Sequence, residues 1–213
     1  MPAKARLAQI LLERAFVQTI ETGDNVKPWS WADTWPIARI EVKRLNANAI
    51  VLHGSSGQAL AFGPGHIETT PHAGGAGTVV YSAHRDTHFR FLKDVVAGDD
   101  IDVTRKDGTL YRYRVTHFSV VHWDKSRIDP FADGHHLVLV TCWPLEDKFP
   151  GPMRYLMHAT LVAQEPAPVS AHSREGGNPE ETGSPLEPVL GPRFARTRVR
   201  GRTDQTLVHI KAR

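Results

Sequence analysis

The chain has 213 residues, 40% of them hydrophobic and 23% charged, enough for one sizeable folded domain with an appended tail. Its formal charge of +3 is unevenly placed: Val189 to Arg213 holds seven Lys/Arg against one Asp, which leaves about −3 on the rest. A nucleic-acid binder would carry its basic stripe on the folded domain, so that class is disfavoured, and the single cysteine, Cys142, excludes an intrachain disulfide or a cysteine-based zinc cluster.

Residues 4–20 predict an amphipathic helix with Leu7, Ile10, Leu11 and Val17 on one face, Leu12, Ala15 and Phe16 beside them, and Gly23 as its stop. A helix packed on the domain is the expected arrangement. The polar face is weakly basic, so contact with a membrane through the N-terminus is only the secondary reading. No run reaches 18 apolar residues, so no transmembrane helix is expected in this chain. Glu13 and Arg14 interrupt the first apolar stretch and no small-residue cleavage site follows, which argues against a signal peptide. Next, "PWSWADTWP" spaces Trp29, Trp31 and Trp35 among prolines, which forbids a regular helix. It predicts an extended strap laid over the domain. Residues 1–37 form this N-terminal region.

From residue 38 to 165 the texture is β. "RIEVK", "NAIVLH", "DIDVT" and "LYRYRV" alternate apolar and polar residues or run apolar, and Asp107-Gly108 signals a hairpin. "TVVYSAH" and "HHLVLVT" are uniformly apolar, as central strands are, and "PMRYLMHATLVAQ" supplies the last strand. "HFRFLKDV" predicts a short helix between strands. Seven or eight strands with few helices favour a closed barrel or a sandwich. After Gln164 the composition turns to Pro, Gly, Ser and Glu without period, so residues 166–213 are expected to be a disordered, basic-ended tail.

Two histidines, His84 and His88, have the spacing of a zinc-protease helix. The general-base Glu of that motif is replaced by Arg85, a cation that cannot take the proton and would repel the metal. His84 also closes a strand, while His88 would open the following helix with Asp86 as its cap, so a shared helical face is not expected. A zinc hydrolase using His84 and His88 stays an alternative.

Cys142 ends the apolar strand "HHLVLVTC", with Pro144 forcing the chain out of the sheet. An imidazole beside a thiol favours the thiolate nucleophile and can later move a proton. Arg154 opens the next strand, and its permanently charged fork of donors suits a developing oxyanion. Each residue alone has an ordinary structural explanation. Three of them at strand ends in a β domain outline a cysteine nucleophile, with a non-catalytic peptide-binding envelope module as the remaining rival.

The order His84, then Thr141-Cys142, then Arg154 resembles the sortase family of cysteine transpeptidases. The family's Thr-Leu-x-Thr-Cys signature reads Val138-Leu139-Val140-Thr141-Cys142 here, with Val in the first position. "SAHRDTHF" is similar to its His motif and "MRYLMHA" to its Arg strand. The amphipathic start and the Trp strap look most like the sortases of Gram-negative bacteria. The resemblance covers roughly residues 4–164 and implies a closed eight-stranded β-barrel. It implies cleavage of a Leu-Pro-x-Thr-Gly-like signal near the C-terminus of a substrate protein, a thioester, and transfer to an acceptor amine. Cys142 would be the nucleophile, His84 the acid and base, and Arg154 the oxyanion partner. Substrate contacts would come from Thr141 and from the loop before the Cys strand, with Ile128 and Phe131 turned inward. The scattered aspartates of "DGTLYRYR" and "HWDKSRIDPFADGHH" form no calcium cluster, so no cofactor and no metal are expected. The implied location is the cell envelope, on the periplasmic side of the inner membrane.

Overall fold

The structure, a computed structural model, describes residues 3–146, 149 and 151–167. Most of the tail expected at 166–213 therefore lies outside the described residues. Eight strands form one closed barrel: β1 (Pro36–Val42), β2 (Ala47–Leu52), β3 (Gly65–His66), β4 (Gly77–Ser82), β5 (Asp100–Arg105), β6 (Leu110–His122), β7 (His135–Cys142) and β8 (Met153–Glu165). Around the barrel the order is β1-β2-β3-β4-β7-β8-β6-β5, closed by β5 on β1. Closure removes the exposed sheet edges that an open sheet would leave. Between a barrel and a sandwich, the barrel is what forms.

Alternation along the strands builds two apolar layers. Val79 and Tyr81 of β4, Leu137 and Leu139 of β7, Met157 and Ala159 of β8, and Ile101, Val103, Tyr111 and Tyr113 fill the interior. The opposite face of β4, β7 and β8 presents Val80, Val138, Val140 and Leu156 outward, where Ile128 covers them. The hairpin at Asp107-Gly108 forms as expected, with Gly108 at a φ of +79 and Arg105 N donating to Thr109 O at 2.9 Å.

An N-terminal helix α1 (Ala3–Thr22) ends where Gly23, at a φ of +78, donates to Thr19 O at 2.9 Å. The helix is as expected, but its buried face is not. Ala8, Leu12, Ala15, Phe16 and Thr19 are buried, whereas Leu7, Ile10 and Val17 are exposed. Apolar residues occupy both sides of α1, and the docked side is the one whose Leu12 and Phe16 meet Ile50 and Leu52 of β2 and Ala59 of α2 (Gly57–Phe62). In the strap, Trp29 packs edge-on against Phe62 with ring centroids 4.7 Å apart, and Trp35 stacks on His53 at 4.1 Å. Trp31 is exposed. No described helix is long and apolar enough to cross a membrane.

Candidate active site

The site is assembled by one parallel and one antiparallel pairing. β4 and β7 run parallel, with Gly77 beside His135 and Ser82 beside Val140. Two bonds carry the register past the end of β4: Ala83 N donates to Val140 O at 3.1 Å, and Thr141 Oγ1 donates to Ala83 O at 2.8 Å. His84 therefore leaves the sheet at the level of Cys142. On the other side β7 and β8 are antiparallel, and Cys142 stands directly opposite Arg154.

The pleat decides which way these side chains face. On β7, Leu137 and Leu139 point into the barrel, so Val138, Val140 and Cys142 point out. On β8, Met157 points in, so Leu156 and Arg154 point out. On β4, Tyr81 and Ala83 belong to the interior layer, so Val80, Ser82 and His84 follow the outer face. By register, His84 just past β4, Cys142 at the end of β7 and Arg154 near the start of β8 thus lie at one end of three adjacent strands. His84 and Cys142 are half-buried. Arg154 is only 6% exposed, and its Nη1 donates to Gly151 O at 2.8 Å and Met153 O at 2.9 Å. Those bonds to the mouth of the β7–β8 loop hold the guanidinium against the strand.

The three residues expected to contact substrate are placed differently. Thr141 alternates with Cys142 and faces the interior; it is 2% exposed with its hydroxyl committed to Ala83 O. Its side chain ties strands together and is not open to a ligand. Ile128 does turn inward as expected, but it is 4% exposed and seated on Val80, Val138, Val140 and Leu156, so it packs over the outer face and is not itself open to a ligand. Phe131 turns out to solvent, 76% exposed, contrary to the inward orientation expected. The loop carrying Ile128 and Phe131 is pinned at its far end: Gly77 N donates to Gly134 O at 2.8 Å and Thr78 N to Pro130 O at 3.2 Å. Gly77, at a φ of +105, is required there, because a Cβ would meet Pro130 O at 2.1 Å.

The histidine pair separates. His88 lies in a turn rather than an α-helix, so the four-residue spacing produces no common face. The short helix expected around it is a 3-10 turn at Arg90–Asp94 whose N-cap is Phe89, and Asp86 does not cap it. Burial lowers the His88 pKa below its ordinary value. Among the described residues no three His, Cys, Asp or Glu side chains converge into an arrangement that could hold a metal ion.

Residues 40–162, more than half of the chain, match the family model described as "Sortase domain". The chain belongs to the sortase family. Over 124 residues it is 27% identical to sortase D of Bacillus subtilis (strain 168), a match covering 58% of this chain and 62% of that protein's length. The fold is similar to a Clostridium perfringens sortase D5 transpeptidase, with a TM-score of 0.58 at 20% identity, covering 73% of this chain and 96% of that one. It is similar also to sortase E of Streptomyces avermitilis, with a TM-score of 0.52 at 28% identity, covering 66% of this chain and 95% of that one. The matched span runs from within β1 to within β8 and includes His84, Cys142 and Arg154.

Proposed function

We propose that this sortase-family protein is a cysteine transpeptidase that uses Cys142, His84 and Arg154 to cut a C-terminal sorting signal of the Leu-Pro-x-Thr-Gly type and join the new acyl end to an amine. The observation that supports the reading is strand register: the parallel pairing of β4 with β7 brings His84, just past the end of β4, to the level of Cys142, and Cys142 stands opposite Arg154 on β8. The Cys142 thiolate attacks the threonyl carbonyl carbon, forming the C–S bond. Charge moves onto the carbonyl oxygen, where the Arg154 guanidinium stabilises it. His84, as imidazolium, gives its proton to the departing glycyl amine as the C–N bond breaks. The thioester left on Cys142 is then opened by an acceptor amine whose proton passes to His84. Water in place of the amine gives hydrolysis, so exclusion of water from the site sets the product.

The substrate on this reading is an envelope protein carrying the signal, and the enzyme works at the cell envelope on the periplasmic side of the inner membrane. The Gram-negative assignment rests on α1 and the Trp strap, both of which precede the matched span. The test is a panel of signal peptides with an amine donor. Wild-type protein yields the joined product. Cys142→Ala, His84→Ala and Arg154→Ala each lose it while keeping the far-ultraviolet spectrum of the barrel. A Cys142→Ala variant that still joins peptide to amine overturns the proposal.

A further inference from the structure

Arg85 has so far counted only against zinc chemistry. In the structure its side chain is 8% exposed. Its Nη1 donates to Pro144 O at 2.8 Å and its Nη2 to Phe149 O at 2.6 Å. Both acceptors belong to the loop that joins Cys142 to Arg154, one just after the thiol and one further along. No acidic side chain among the described residues forms an ion pair with this guanidinium. A buried cation is tolerated only when its donors are satisfied, and here backbone carbonyls do that work. The planar fork can reach both limbs of one loop at once, which a lysine ammonium cannot do with the same geometry.

The covalent neighbour gives the clamp its meaning. Arg85 follows His84 directly, so their Cα atoms are about 3.8 Å apart. The bonds from Arg85 therefore fix the β7–β8 loop to the His84 backbone rather than to the barrel in general. The amine must lie where His84 can exchange a proton with it, at the end of β4, and the Pro144 and Phe149 carbonyls are held to the residue that directly follows His84.

We propose that Arg85 is a positioning residue whose clamp on Pro144 and Phe149 sets the wall of the amine site, and so sets how the thioester divides between amine and water. This rests on the catalytic reading of His84 and Cys142. The experiment compares wild type with Arg85→Lys and Arg85→Gln in the peptide-and-amine assay, scoring joined and hydrolysed products separately. Urea midpoints are recorded alongside so that rates are corrected for folded protein. The expected result for Arg85→Gln is a loss of transfer on the order of 10- to 100-fold, as for a misplaced reactive group. The KM for signal peptide changes little, and the ratio of hydrolysed to joined product rises several-fold. Arg85→Lys falls between wild type and Arg85→Gln, and added guanidinium ion restores the ratio in Arg85→Gln. A product ratio unchanged in every Arg85 variant, with rates that track folded protein alone, overturns the inference while Cys142 remains essential. Activity that survives in Cys142→Ala overturns the catalytic reading instead.

Discussion

Replacing Thr141 with Val tests whether the bond between β7 and the residue before His84 is what aligns imidazole and thiol. The substitution keeps the branched shape and removes one hydroxyl that donates to Ala83 O at 2.8 Å in a fully buried setting. A neutral buried hydrogen bond contributes about 1 kcal/mol net, and leaving a buried partner unsatisfied costs about 1–3 kcal/mol. The expected destabilisation is therefore about 1–3 kcal/mol, read as a lower urea midpoint at unchanged m-value. In a domain of this size it appears as a fall in Tm of about 2–4 °C per kcal/mol. Activity should fall further than the folded fraction does, by roughly tenfold, because a small displacement of His84 relative to Cys142 is penalised in the transition state. Thr141→Ser, which keeps the donor, should recover most of the activity. Val variants that unfold within about 0.5 kcal/mol of wild type and turn over peptide normally would refute the role assigned to this bond.

Ile128→Ala should destabilise by about 2–4 kcal/mol, as truncation of a buried aliphatic does, and loosen the loop over the outer face. Phe131→Ala, at an exposed position, should change stability by less than about 0.5 kcal/mol in the same urea titration. His66 is buried, and desolvation holds its pKa down at about 4, below its ordinary value of 6.5. Between those values the unfolded chain takes up a proton that the folded one refuses, so this group's stabilisation is complete above pH 6.5 and declines by about 3 kcal/mol towards pH 4. His66→Gln should flatten that part of the stability profile; a variant with the wild-type slope would contradict it. Leu12→Ala should cost about 2–5 kcal/mol, and Leu7→Ala, on the exposed side of α1, should cost almost nothing in chemical denaturation.

How legible each feature was follows from the range of the interaction behind it. β5, β6 and the Asp107-Gly108 turn are local, and their alternation announces them. β3 is two residues long and makes no pattern of its own; only its bonds to β2 and β4 define it. The face α1 buries was misread because apolar residues ring the helix, and the choice among them is made by β2 and α2. Cys142 and Arg154 face each other across neighbouring strands, which a linear reading can anticipate. The alignment of His84 with Cys142 depends on a parallel pairing across 58 residues, as the Thr141–Ala83 bond shows, and nothing in either strand encodes that partner. Resemblance to a family supplied it. The outward turn of Phe131 was not legible, because loop side chains have no period to read. The Arg85 clamp depends on two carbonyls that come near only once that parallel pair has formed.

The most direct measurement is the intact mass of the protein after brief mixing with a signal peptide and no amine, quenched in acid. A thioester mechanism at Cys142 predicts an added mass equal to the peptide cut after its threonine, mapped to Cys142 and released by hydroxylamine. Turnover of the same peptide with no adduct at any time, or an adduct that persists in Cys142→Ala, would contradict it.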